Sequence, residues 1–216
     1  NGKVKIITGI RRCGKSFLLF KLFKNRLLEE GLQETDFVEI ALDRKSDIKY
    51  RNPNLLYEYI IERTKDVNRK FYVFIDEIQH YPQFLTMLKF LRQEKRYRFI
   101  CSGSLLGISL KKTISVPVGS IIPKKMYQLD FEEFLIANNF GEEAIDFLRK
   151  SFENKKALPE DIHNKVLGLF KRYLLVGGMP DAVNVYLATH NIVKVREVQE
   201  SIVDLYGVDA SRYEEE

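Results

Sequence analysis

Gly9-Ile10-Arg11-Arg12-Cys13-Gly14-Lys15-Ser16, followed by Phe17, is the stretch on which the fold turns. It fits G-x-x-x-x-G-K-[ST] at every fixed position. Each residue type there has a physical reason. Glycines let the backbone bend so that successive N–H groups converge on an anion. The helix that follows such a loop adds its partial positive charge at the same point. A lysine in the place of Lys15 reaches the β- and γ-phosphates of a nucleotide, and the hydroxyl of Ser16 ligates Mg²⁺. An ordinary glycine turn could match the pattern by chance, so the flanks decide. Lys3–Thr8 is β-branched and apolar, as a buried strand is. Ser16–Glu30 carries Phe17, Leu18, Phe20, Leu22, Phe23, Leu27 and Leu28 at helical spacing, with Gly31 where a C-cap glycine belongs. Strand, loop and helix in this order predict a nucleotide site over Gly9–Phe17.

Outward from the loop, strands and helices alternate. Phe37–Leu42 reads as a second strand and Phe71–Ile75 as a third, with Tyr97–Cys101 a fourth and Met126–Leu129 a fifth. Between them, Pro53–Asp66 and Pro82–Glu94 read as helices. From Phe131 to Tyr206 the periodicity is helical only, broken at Gly177-Gly178-Met179-Pro180. Alternation followed by helices alone predicts an α/β domain with a parallel sheet over residues 1–129, then a lid-like helical subdomain over 130–216.

The third strand ends in two adjacent carboxylates, Asp76 and Glu77. At the C-terminal edge of a parallel sheet both face the crevice where ligands bind. Asp76 there supports the Mg²⁺ shell and Glu77 orients or deprotonates an attacking water, a pairing that points to ATP hydrolysis. A helix N-cap would use the same residues without chemistry. Ser102 and Ser104 end the fourth strand, and either hydroxyl is a candidate for the γ-phosphate or the water. A plain Ser/Gly turn explains them as well.

Six motifs now stand in order: Ile7–Ser16, Ile75–Gln79, Cys101–Ser104, Val116–Gly119, Asp130–Leu135 and Val176–Pro180. In these the chain resembles the prokaryotic AAA+-like ATPases whose P-loop domain precedes a C-terminal domain of unknown function. The resemblance spans nearly the whole chain. It implies an ASCE-type P-loop fold with sheet order 5-1-4-3-2, ATP as nucleotide with Mg²⁺, and a chain that continues beyond Glu216. Gly177-Gly178-Met179-Pro180 is similar to the Gly-x-Pro element of STAND-like signalling ATPases, in which Pro180 would lie beside the nucleotide. A helix–helix hinge is the plainer account of the same residues. Relatives carry an arginine after the Val-Pro-Val-Gly segment, where this chain has Ser120; Arg11, Arg12 and Arg172 are the substitutes at hand. If that arginine contacts the γ-phosphate or an adjoining subunit, this chain is expected to hydrolyse slowly or to use another cation, and a homo-oligomer is among the partners the resemblance allows. A tryptophan common after the Asp-Glu-Ile-Gln segment is also missing, and Phe84 stands in its place.

Composition bounds the rest. Of 216 residues, 45% are hydrophobic and 30% charged, which suits one or two globular domains with a real core. Two cysteines, Cys13 and Cys101, exclude both a disulfide framework and a four-cysteine zinc site. His80, His163 and His190 are scattered, so the expected metal is Mg²⁺ alone. The net charge of +5 is uneven: residues 95–129 carry +7 and the remainder −2. That basic segment is either a solvated face or a track for nucleic-acid phosphates. No apolar run reaches membrane-spanning length, and Asn1-Gly2-Lys3 offers neither an initiator Met nor a signal-like stretch. A cytoplasmic location is expected. Three readings follow: an ATPase, a slow nucleotide-gated switch, and a DNA-associated ATPase.

Overall fold

The structure is a computed structural model that describes residues 4–81, 84, 94–104 and 121–214. It divides into two compact units. The first comprises Asn1–Ile10 and Gly14–Met126, the second Arg11–Cys13 and Tyr127–Glu216.

The first unit holds a five-stranded sheet of β1 (Val4–Thr8), β2 (Phe37–Ala41), β3 (Phe71–Asp76), β4 (Tyr97–Gly103) and β5 (Ile121–Lys125). All neighbours pair in parallel in the order β2-β3-β4-β1-β5, the 5-1-4-3-2 order that the resemblance implied. The central strands β3 and β4 are mostly apolar because both faces are covered. Alternation then sorts the residues. Ile6, Val73, Ile75, Phe99 and Cys101 join Leu56 and Ile60 of helix α2 (Pro53–Arg63) on one face. Phe74 and Ile100 join Leu19 and Leu27 of helix α1 on the other.

Helix α1 runs over residues 15–29 as an α-helical turn Lys15–Phe17, a π-helical stretch Leu18–Phe23 and a second α-helical part Lys24–Glu29. Gly31, at φ 99°, ends it in a Schellman motif: the Leu32 N–H donates to the Leu27 carbonyl at 3.1 Å, and the Gly31 N–H to Leu28 at 3.0 Å. Phe84, the residue in the place of the missing tryptophan, is fully buried against Phe99, with ring centroids 6.4 Å apart.

One strand differs from expectation. The fifth strand is Ile121–Lys125 rather than Met126–Leu129. Pro123-Lys124-Lys125 looks like loop, yet an edge strand tolerates both proline and charge. The helix expected over Pro82–Glu94 falls outside the described residues except at Phe84 and Glu94, as do Lys111, Lys112, the Val116–Gly119 segment and Ser120.

The second unit is helical: α3 (Phe131–Ala137), α4 (Glu142–Glu153), α5 (Glu160–Val176), α6 (Pro180–Thr189) and α7 (Ile192–Glu214). A capping box starts α3, with the Asp130 carboxylate accepting from the Glu133 N–H at 2.8 Å and Glu133 accepting from Asp130 at 2.9 Å. The Gly177–Pro180 element is a tightly packed helix–helix joint. Gly177 leaves α5 at φ 71°, and Pro180 is the first residue of α6. A Cβ on Gly178 would sit 1.9 Å from the Leu129 carbonyl oxygen, so only glycine fits there. Among the described residues no helix is long and apolar enough to cross a membrane.

Candidate functional site

The C-terminal ends of β1, β3 and β4 lie along one edge, because the registers pair Thr8 with Gly103 and Ile75 with Cys101. Strand order reverses beside β1, and open α/β sheets place their ligands at such a point.

After β1 the chain enters the glycine loop. Gly14 is left-handed at φ 99°, ψ 9°, a conformation that suits glycine. It starts α1 without a side-chain cap, as a residue with no side chain must. Lys15 opens the helix and is only 3% exposed. Its Nζ donates to the Ile10 carbonyl at 2.8 Å, and among the described residues no carboxylate lies within ion-pair distance of it. Buried ammonium groups are ordinarily paired. Ser16 and Phe17, the next residues, are exposed.

Asp76 ends β3, buried at 4% exposure. Its Oδ1 accepts from the Ser102 hydroxyl and from the Glu77 N–H at 3.0 Å. Ser102 is adjacent because β4 runs beside β3 one residue beyond the Ile75–Cys101 pair. The Cys101 thiol is pushed well up by burial, with the Asp76 charge adding to it.

Glu77 has φ 54° and ψ 46°, left-handed without being glycine, and leads into a 3₁₀ turn, Ile78–His80. That turn brings Gln79 back onto the glutamate. Gln79 Nε2 donates to Glu77 Oε2 and, at 2.9 Å, to Ser104 Oγ. Ser104 Oγ donates in turn to Glu77 Oε2 at 3.2 Å. Burial raises the Glu77 carboxyl above its ordinary value, and the Asp76 and Asp43 charges act the same way. The Gln79 hydrogen bond and the Lys15 charge oppose the rise.

Lys15, Asp76, Glu77, Ser102 and Ser104 therefore gather in the first unit, with each serine on one carboxylate. Gln79 had no role in the sequence reading, although it stands two residues after Glu77. The signal was there, but its meaning depends on the left-handed turn. Other candidates belong to the second unit. Arg12 lies 3.8 Å from Asp181 and donates to Ser201 at 3.4 Å, and the Arg11 carbonyl accepts from the Tyr206 hydroxyl at 3.0 Å. Cys13 is buried. Arg172 donates to the Tyr186 hydroxyl at 2.9 Å. Pro180 opens α6.

Comparison with known proteins agrees with this architecture. The chain matches the structure of C. elegans PCH-2 with a TM-score of 0.53 at 15% identity, over 90% of this chain and 61% of that one, a likeness of fold. It is 25% identical over 158 residues to an uncharacterized protein of Haemophilus influenzae, covering 72% of this chain and 39% of that protein. It is 26% identical over 143 residues to an uncharacterized protein of Methanocaldococcus jannaschii, covering 64% of this chain and 30% of that protein. The chain thus spans well under half the length of either curated relative. Residues 1–135 match the family model described as AAA domain, and the chain belongs to that family.

Proposed function

We propose that the chain binds ATP with Mg²⁺ at the Gly9–Ser16 loop and hydrolyses it, as an AAA+-type P-loop ATPase. The observation that carries this reading is Lys15: a buried ammonium with a backbone carbonyl and no carboxylate partner among the described residues, at a helix start with no side-chain cap. Such a cradle calls for an anion. The oxygen donors of Ser16 and Asp76 suit a hard divalent cation, so the residues fit Mg²⁺.

Lys15 holds the β- and γ-phosphates, Ser16 and Asp76 hold the metal, and the backbone N–H groups of the loop orient the triphosphate. A Mg²⁺ ion held by Ser16 and Asp76 would supply positive charge to offset that of the transferring phosphoryl group. Glu77 Oε2 is engaged by Gln79 and Ser104, which leaves Oε1 to take a proton as the water oxygen bonds the γ-phosphorus and the β–γ bridge oxygen departs with ADP.

Steady-state turnover and equilibrium binding of ATP test the assignment. Glu77→Gln keeps nucleotide affinity and loses turnover by about 10²–10⁴-fold, the usual worth of a general base. Turnover by Glu77→Gln at the wild-type rate overturns the mechanism.

A further inference from the structure

We infer that Gln79 is a positioning residue that fixes the Glu77 carboxylate through its side-chain amide, with Ser104 closing the ring. The inference rests on the reading of Glu77 as the base.

Both amide hydrogens of Gln79 are spoken for, one by Glu77 Oε2 and one by Ser104 Oγ at 2.9 Å. The Ser104 proton then goes to Glu77 Oε2 at 3.2 Å, so the direction of all three bonds is set. Flipping the amide would press its carbonyl oxygen against a carboxylate oxygen. The orientation that serves Glu77 is therefore the only one available.

It has a consequence for Gln79 itself. Its Oε1 is buried and has no hydrogen-bond partner, alone in this among the side-chain atoms of the described residues. Buried acceptors without partners are uncommon and unfavourable, so something outweighs the loss. Glu77 meanwhile sits in left-handed backbone, a conformation non-glycine residues avoid. Strained backbone and an orphaned acceptor within three residues is the pattern of a site shaped for its chemistry.

The test compares wild type, Gln79→Met, Ser104→Ala and the double variant for ATP turnover and for affinity toward a non-hydrolysable ATP analogue, with Glu77→Gln alongside. Methionine keeps the length of the side chain and donates nothing. Gln79→Met lowers kcat by about 10–100-fold, the usual worth of a partner that orients a reacting group, while analogue affinity stays within twofold. The double variant loses no more than the larger single loss, because both side chains act through one carboxylate. Gln79→Met at the wild-type rate, a loss of affinity equal to the loss of kcat, or additive losses in the double variant each overturn the inference. If Glu77→Gln itself turns over normally, the parent reading fails whatever Gln79 does. If Glu77→Gln is dead and Gln79→Met is not, only the inference fails.

Discussion

Replacing Lys15 by methionine is expected to stabilise the nucleotide-free protein while destroying its affinity for nucleotide. The side chain is 3% exposed, and the described structure returns to it one hydrogen bond, to the Ile10 carbonyl at 2.8 Å, and a longer-range attraction to the Glu77 carboxylate. Burying an ammonium costs several kcal/mol even after relaxation. A hydrogen bond from a charged donor recovers about 1.5–3 kcal/mol. Methionine keeps the buried stem and removes the charge. The balance is a gain of about 1–2 kcal/mol, and a chain of this size gains about 2–4 °C in Tm for each kcal/mol. Saturating ligand inverts the order. At a hundred times Kd the wild type gains about 2.7 kcal/mol, and the variant gains nothing. Thermal unfolding followed by circular dichroism, with and without a non-hydrolysable ATP analogue and Mg²⁺, reads both effects. A variant less stable than wild type without nucleotide would refute the claim that the ammonium is only partly compensated, and with it the argument that the loop calls for an anion.

Two glycines of the helical unit should respond oppositely to alanine. Gly178→Ala drives a Cβ to 1.9 Å from the Leu129 carbonyl and lowers stability by about 1–3 kcal/mol, whereas Gly168→Ala, inside α5 with nothing within 4 Å, raises it by about 0.5–1 kcal/mol. Denaturant midpoints measure both; equal effects would remove the packing account of the Gly177–Pro180 joint. Phe74→Ala empties a fully buried position whose ring lies 6.0 Å from Phe23 and 5.6 Å from Phe37, and should cost about 3–5 kcal/mol by the same assay. A loss under 1 kcal/mol would mean that α1 does not depend on that face of the sheet.

The parts of this fold legible in the sequence were those whose local pattern and tertiary role coincide. β1, β3 and β4 are apolar runs because helices cover both faces, so their composition announces them. The position of Asp76 at the end of β3 was legible because the apolar run stops there. β5 was misplaced because an edge strand has to pair on one side only and can carry Pro123, Lys124 and Lys125. Apolar spacing within α1 does not separate a four-residue from a five-residue hydrogen-bond step, so the π-helical stretch Leu18–Phe23 left no mark. Ser102 lies on β4 and Ser104 just past its end, and the sequence could not divide them between the two carboxylates. The structure gives Ser102 to Asp76 and Ser104 to Glu77. Gln79 was hidden for a different reason: its geometry follows from one dihedral pair at Glu77, which no periodicity encodes.

The same edge strand bears on how the protein behaves in a crowd. The Met126 N–H donates inward to Thr8 at 2.7 Å, and successive N–H groups along a strand alternate sides. Lys124 and Ile122 therefore face β1, while Ile121, Pro123 and Lys125 turn their backbone nitrogens away from it. The middle one of those is proline, which has no hydrogen to offer. A strand from another molecule approaching this edge would meet a gap in the donor row, flanked by lysine charge. The residue that disguised β5 as a loop also blunts it as a template for aggregation.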